Sequence, residues 1–252
     1  MTKIRISAIV STYNAEKFFR SRIENLCNQT IADALEIIVI DSGSAQREAE
    51  ILNEIRENIS DRGSFAPQLK YLRTERETLY AAWNRGVGMA QGVYISNANT
   101  DDRLLDNAYE KMTLKLDETP EAVLAYSDAW ETTDESEILD CVKLEYKPGR
   151  RRVYQPEYSH NKLLLHCYCG PFPMWRRSVH DKFGYFDPKF VVSGDWEFWL
   201  RMAEQTNFVH LAEPLGLMLR RDDSIVWSNQ EKMLEENNII RLKYFGQSQN
   251  DR

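Results

Sequence analysis

The 252-residue chain carries a formal net charge of −7, with 42% hydrophobic and 28% charged residues. That balance belongs to a globular protein with length for a sizeable core and no apolar run long enough to span a bilayer, and its sign argues against a nucleic-acid partner. Residues 1–12 show no signal-peptide pattern, and Cys27, Cys141, Cys167 and Cys169 are too irregularly spaced for a disulfide framework, so the expected location is the cytoplasm.

In chain order, the β-rich run 4–11 ends in Thr12-Tyr13-Asn14 and predicts a strand followed by a helix from about Ala15, with Phe18, Phe19, Ile23, Leu26 and Cys27 at core spacing. Leu35 to Ile40 is apolar throughout, as a strand buried on both faces should be, and it ends in Asp41-Ser42-Gly43-Ser44. A second helix, with Ile51, Leu52, Ile55 and Ile59 on one side, leads through a Gly63-Pro67 loop to a third strand, Leu69 to Arg73. Residues 79–91 predict a helix, and Val93, Tyr94 and Ile95 a short strand ending in Asn99-Thr100-Asp101-Asp102. Strands and helices alternating over short connections predict an α/β fold with a single, mostly parallel, Rossmann-like sheet flanked by helices. A helix over 106–118 and a strand over 122–127 continue it. Residues 128–158 lose periodicity and read as a variable hairpin or lid; 217–221 predicts a last strand ending in Arg220 and Arg221; 229–244 predicts a closing helix.

Three strands thus end in polar side chains at one rim: Thr12 and Tyr13, Asp41 and Ser42, Asp101 and Asp102. Open α/β sheets bind ligands at that edge. Carboxylates there can accept hydrogen bonds from a base or ribose, and Tyr13 offers a ring for stacking. Two adjacent carboxylates repel unless a cation joins them, so Asp101 and Asp102 are candidate ligands for a hard metal, although an acidic turn before the helix at Asp106 has the same look. No Gly-rich phosphate loop follows the first strand, so a diphosphate would need that metal. Asp195 opens a helical run rich in Trp196 and Trp199; it fits an N-cap or first-turn carboxylate, and its aromatic surroundings also suit a general base. His166-Cys167-Tyr168-Cys169 has no second ligand pair, so buried thiols are expected rather than zinc. The basic run from Lys147 to Arg152 reads as a solvated loop, with a lipid carrier or membrane surface as the other reading. Trp175, Trp196 and Trp199 are expected in the core, with stacking on a sugar as the other reading.

These segments resemble family 2 glycosyltransferases of the GT-A type. The matching stretches are Ile9-Val-Ser-Thr-Tyr-Asn14, Val39-Ile-Asp-Ser-Gly-Ser44, Ala82-Trp-Asn-Arg-Gly through Ile95, the Asp101-Asp102 pair, and Gly184-Tyr-Phe-Asp187 before Gly194-Asp-Trp-Glu197, over about residues 4–221. The resemblance implies that Thr12, Tyr13 and Asp41 hold the base and ribose with Arg73 near the nucleotide. It further implies that Asp101 touches the ribose, that Asp101 and Asp102 hold Mg²⁺ or Mn²⁺ on the diphosphate, and that Asp195 is the general base of an inverting displacement. The implied partners are a nucleotide-diphosphate sugar of UDP, GDP or dTDP type and a glycan or lipid-linked saccharide acceptor in polysaccharide biosynthesis; a peripheral membrane contact at the inner face and self-association stay open. One domain over 1–252 is expected, with a nucleotide-sugar half over about 1–127, an acceptor-side half over 128–228 and a C-terminal helix over 229–252.

Three positions depart from the family pattern: Asn99 stands where Asp usually begins the metal motif, Gly194 where many relatives have Glu, and Asp222 or Asp223 where they have His. Glu197 is a second candidate base. Two other functions compete with transfer. A sugar nucleotidyltransferase would need a Gly-rich loop that residues 11–17 lack, and a non-catalytic sugar-nucleotide-binding or assembly protein would be favoured by loss of Asp195 or of both Asp101 and Asp102.

Overall fold

The computed structural model describes residues 3–139, 144, 147 and 150–245. The apolar runs form strands β1 (Ile6–Thr12), β2 (Leu35–Asp41), β3 (Gln68–Arg73) and β4 (Tyr94–Asn97), joined by helices α1 (Glu16–Cys27), α2 (Glu48–Ile59) and α3 (Leu79–Met89). Next come β5 (Arg103–Leu104), α4 (Ala108–Glu118), β6 (Ala122–Thr132), α5 (Ser136–Leu139), β7 (Arg151–Val153), α6 (His160–Leu165), β8 (Met174–Arg176) and α7 (Val179–Phe183). Helix α8 (Gly194–Ala203), β9 (Asn207–Leu219), α9 (Ile225–Ser228) and α10 (Gln230–Phe245) close the described chain. The strands make one sheet in the order β3-β2-β1-β4-β8-β6-β9-β5, with β7 on β6. Among the described residues six of the nine strands run one way, and β5, β7 and β8 run against them.

The sheet separates two cores because successive strand residues point to opposite faces. Ile6, Ala8 and Val10 of β1 pack with Phe19 and Ile23 of α1 and Ile51 and Ile55 of α2 on one face. Ile9, Ile95 and Trp175 pack on the other with Tyr80 and Trp83 of α3 and Trp196, Phe198 and Trp199 of α8. Trp175, Trp196 and Trp199 are therefore core, each no more than 2% exposed.

Two stretches differ from the periodicity-based expectation. The segment from Asp128 is not loop at first: β6 runs on to Thr132 and pairs with β7, so part of the expected hairpin is sheet, while 140–143, 145–146 and 148–149 lie outside the described residues. The last strand begins ten residues earlier than 217, at Asn207. Pro214 hides it in the sequence, since proline cannot donate to a ladder. Here Pro214 lies opposite Asp128 between two register shifts, where the irregularity accommodates the missing N–H.

The basic run is internally paired: Lys147 and Arg150 with Glu137, Arg151 with Glu131, and Arg152 through two nitrogens with Asp128. Cys27 and Cys169 are buried and Cys167 is half-buried, as thiols of a core should be, and Cys141 lies outside the described residues. Among the described residues no helix is long and apolar enough to cross a membrane.

Candidate functional site

Register alone aligns the first group of candidates. Thr12 lies opposite Asp41 across β1 and β2, and Asp41 opposite Arg73 across β2 and β3, so the three form a row along the carboxyl rim. Asp41 is fully buried. Burial favours its neutral form, but the Tyr71 hydroxyl (2.6 Å), the Ser44 N–H (2.7 Å) and the Arg73 guanidinium (3.1 Å) outweigh burial and hold its carboxyl below the usual range. Arg73 spends its other nitrogen on the Ser44 carbonyl at 2.6 Å, so it braces Asp41 and the 41–44 turn rather than standing free. Gly43 makes the turn, with φ of +79° and the Arg76 N–H 3.3 Å from where a Cβ would be. Arg76 in turn lies 3.6 Å over the centroid of the Tyr13 ring, which is 44% exposed. Thr12 is 3% exposed and its hydroxyl oxygen has no hydrogen-bond partner among the described residues. A buried hydroxyl of that kind is costly unless something bonds to it.

The acidic turn is held from beneath by α1. Arg22 and Arg103, both buried, donate to the Asp102 carbonyl at 3.1 and 2.6 Å, and Arg103 also donates to the Thr100 carbonyl at 2.8 Å. Asn25 of α1 bonds both the N–H and the C=O of Leu104 at 2.9 Å. The Asp102 carboxylate is buried, accepts from the Asn99 side-chain amide at 3.1 Å, and has its proton affinity raised to about 7, first by burial and then by the neighbouring Asp101 charge. Asn99 can donate where an aspartate could not, which gives its neutral side chain a physical role. Asp101 pairs with Arg221 at 3.0 Å. The fit to a divalent ion would be that of a two-carboxylate site: among the described residues no three His, Cys, Asp or Glu side chains converge, whereas Asp101 and the desolvated Asp102 are neighbours in the chain and their charges act on each other. Mg²⁺ is commonly held by one or two carboxylates with substrate phosphates completing its shell.

Asp195 belongs to a different group. It is the second residue of α8, where helix-terminal N–H groups favour a charged carboxylate; it accepts from the Trp196 N–H at 2.8 Å and lies 3.2 Å from the Tyr80 hydroxyl. Burial prevails over those donors and raises its proton affinity, with the Glu236 charge adding to it. Ser193, not Asp195, is the capping position. The loop before α8 is fastened from α10, where buried Glu236 accepts the N–H groups of Val191, Val192 and Ser193 at 2.7, 2.9 and 2.9 Å. Trp83, one turn after Tyr80, donates to Ser11 at 3.3 Å, so α3 links the end of β1 to the Asp195 loop. Among the described residues no hydrogen bond or ion pair joins Asp195 to Asp101 or Asp102.

Glu197 is bound to Arg201 (2.5 Å), Lys243 (2.7 Å) and the Tyr244 hydroxyl (3.0 Å), and Arg201 and Lys243 lower its pKa against burial, the opposite direction from Asp195. Tyr71, Tyr80, Arg76 and Glu236 carry no motif of their own, and only the folded chain brings them to the site. Arg221 could be foreseen only as a basic residue at a strand end.

A family profile described as Glycosyl transferase family 2 matches residues 7–184. The chain is 27% identical over 205 residues to an uncharacterized glycosyltransferase of Methanocaldococcus jannaschii, covering 80% of this chain and 65% of that protein. It is 30% identical over 139 residues to the putative glycosyltransferase EpsH of Bacillus subtilis, covering 55% and 38%, and 23% identical over 206 residues to a chondroitin synthase of Escherichia coli, covering 82% and 27%. It spans less than two thirds of each of these relatives. Among solved structures it superposes on residues 1–349 of TarS from S. aureus in complex with UDP-GlcNAc, with a TM-score of 0.67 at 15% identity over 96% of this chain and 72% of that one. The mannosyltransferase PcManGT from Pyrobaculum calidifontis, in complex with GDP-Man and Mn²⁺, gives a TM-score of 0.62 at 15% identity, covering 89% and 59%.

Proposed function

The chain belongs to glycosyltransferase family 2 and has the GT-A fold, and from that premise we propose that it moves a sugar from a nucleotide-diphosphate donor to a hydroxyl of a glycan or lipid-linked acceptor, with inversion at the anomeric carbon. The observation that carries this reading is the row of Thr12, Asp41 and Arg73 on one sheet rim, continued by the Asp101-Asp102 turn. UDP-GlcNAc in TarS and GDP-Man in PcManGT, two structures of the same fold, are donors of the proposed class.

In this reading Asp41, kept ionised by Tyr71, Ser44 and Arg73, accepts a hydrogen bond from the base. Tyr13 offers its ring to the base with Arg76 beside it. The unpartnered Thr12 hydroxyl and the Asp101 carboxylate bond the nucleoside. Asp101 and Asp102 would hold Mg²⁺ or Mn²⁺, which supplies Lewis-acid neutralisation of the leaving diphosphate. Asp195 accepts the proton of the attacking acceptor hydroxyl, and its desolvated position raises its basicity toward that task. The acceptor enters from the side built by residues 128–228, opposite the donor half at 1–127. Helix α10 braces the loop before the base through Glu236. A cytoplasmic location, where nucleotide sugars are made, belongs to the same reading.

Asp195→Asn tests the assignment. With the donor and acceptor on which the wild type turns over, the variant should bind nucleotide within about twofold of wild type and lose transfer by a factor of 10² or more, the low end of general-base contributions being roughly that size. Turnover equal to wild type would overturn the role of Asp195.

A further inference from the structure

The acidic turn already holds one cation of the protein's own. Arg221, two residues past β9, donates its Nε to Asp101 at 3.0 Å, and its Nη1 lies 3.2 Å from the exposed carboxylate of Asp223. Its guanidinium sits 4.9 Å over the Phe18 ring, on α1. Arg22 and Arg103 are buried beneath the turn and donate to backbone carbonyls there. Arg221 is different: its side chain is 27% exposed, so its own charge can swing to solvent or to another anion without being buried unpaired.

We propose that Arg221 selects the metal–diphosphate complex over either component alone, by occupying the cation position on Asp101 until both arrive. The proposal rests on the reading of Asp101 and Asp102 as the metal–diphosphate site. A divalent ion arriving alone must displace the guanidinium and then lie beside it, two cations against the Asp101-Asp102 pair. An ion that arrives with a nucleoside diphosphate brings phosphate oxygens, and the displaced guanidinium can donate to them in the forked geometry that suits arginine. Asp223 keeps a second acceptor within reach of the guanidinium as it moves. Metal and nucleotide therefore bind with positive coupling, and linkage requires each to strengthen the other by the same factor.

The coupling is readable without any transfer assay. Titrate the full chain with MnCl₂ alone, following free Mn²⁺ by electron paramagnetic resonance, for wild type, Arg221→Ala and Arg221→Gln. Then titrate each with UDP and with GDP, with and without Mn²⁺, by calorimetry. Removing a competing cation should tighten binding of Mn²⁺ alone by about twofold to fivefold in both variants, the range expected for a partly exposed charge pair. Nucleotide binding in the presence of Mn²⁺ should weaken by a comparable factor. Adding Asp101→Asn to Arg221→Ala should abolish the gain in Mn²⁺ affinity, placing it at Asp101. Unchanged affinity for Mn²⁺ alone in both variants would overturn the proposal. If Mn²⁺ then still tightens UDP or GDP binding in all of them, the metal site stands and only the role of Arg221 falls. Nucleotide binding that ignores Mn²⁺ in every variant would remove the metal reading and the proposal together.

Discussion

The Tyr80 hydroxyl stands between the Val192 carbonyl, 2.6 Å away, and Asp195 Oδ1, 3.2 Å away. One phenolic proton cannot serve both acceptors fully, and the shorter contact takes the larger share. Asp195 is thereby positioned by Tyr80 without being strongly neutralised by it, which suits the proton-accepting role proposed for it.

Tyr80→Phe keeps the ring stacked on Phe186 and edge-on to Trp83, and removes only the oxygen. The expected outcome is a fall in kcat of about tenfold, equivalent to the roughly 1.4 kcal/mol of one hydrogen bond, with donor affinity changed less than twofold. Steady-state rates and nucleotide titration check both halves, and a loss of nucleotide affinity instead would place Tyr80 on the donor side.

Gly194 shows why this chain departs from the family pattern just before the presumed base. A Cβ there would come within 2.7 Å of the Tyr80 ring, so the residue is small because Tyr80 fills the space. Gly194→Ala should destabilise the fold by about 1–3 kcal/mol, the usual cost of overpacking, and Gly194→Glu by more. Denaturant unfolding measures it, and Tyr80→Leu in the same chain should recover part of the loss.

The four parallel strands, their helices and the rim residues Thr12, Asp41, Asp101 and Asp102 were legible because apolar runs and turn residues alternate cleanly over 4–118. The contacts that make the site work were not. Tyr80, Arg76 and Glu236 act on residues 43 to 115 positions distant in sequence, with Arg76 on Tyr13, Tyr80 on Asp195 and Glu236 on the 191–193 loop; no local pattern encodes such pairings. The first half of β9 was hidden by Pro214, and the three-residue β7 and β8 are too short for any periodicity to register.

His180, in the motif region before Asp187, makes a pH prediction. Its Nε2 accepts the Trp175 N–H at 2.9 Å, so the remaining nitrogen carries the proton and donates to the Gly184 carbonyl at 2.8 Å. A second proton would face the indole N–H. Burial pushes the imidazole down to about 4, against the pull of the Gly184 carbonyl. A pKa lower in the folded than in the unfolded chain means that unfolding takes up a proton between pH 4 and 6.5. Stability contributed by neutral His180 is therefore complete above pH 6.5 and lost as pH falls toward 4, by up to about 3 kcal/mol. Denaturant midpoints for wild type and His180→Gln across that range check this; parallel curves would refute it.

The most direct test of the donor site is a thermal-unfolding screen with UDP, GDP and dTDP and their sugar conjugates, each with Mn²⁺, Mg²⁺ or chelator. A ligand that binds only the folded chain stabilises it by about 2.7 kcal/mol at a hundredfold excess over Kd, which for a protein of this size is a rise in Tm of roughly 5 °C or more. That rise is expected for one base class, only with a divalent metal, and is expected to be lost in Asp102→Asn. No rise with any nucleotide, or the same rise in chelator, would contradict it.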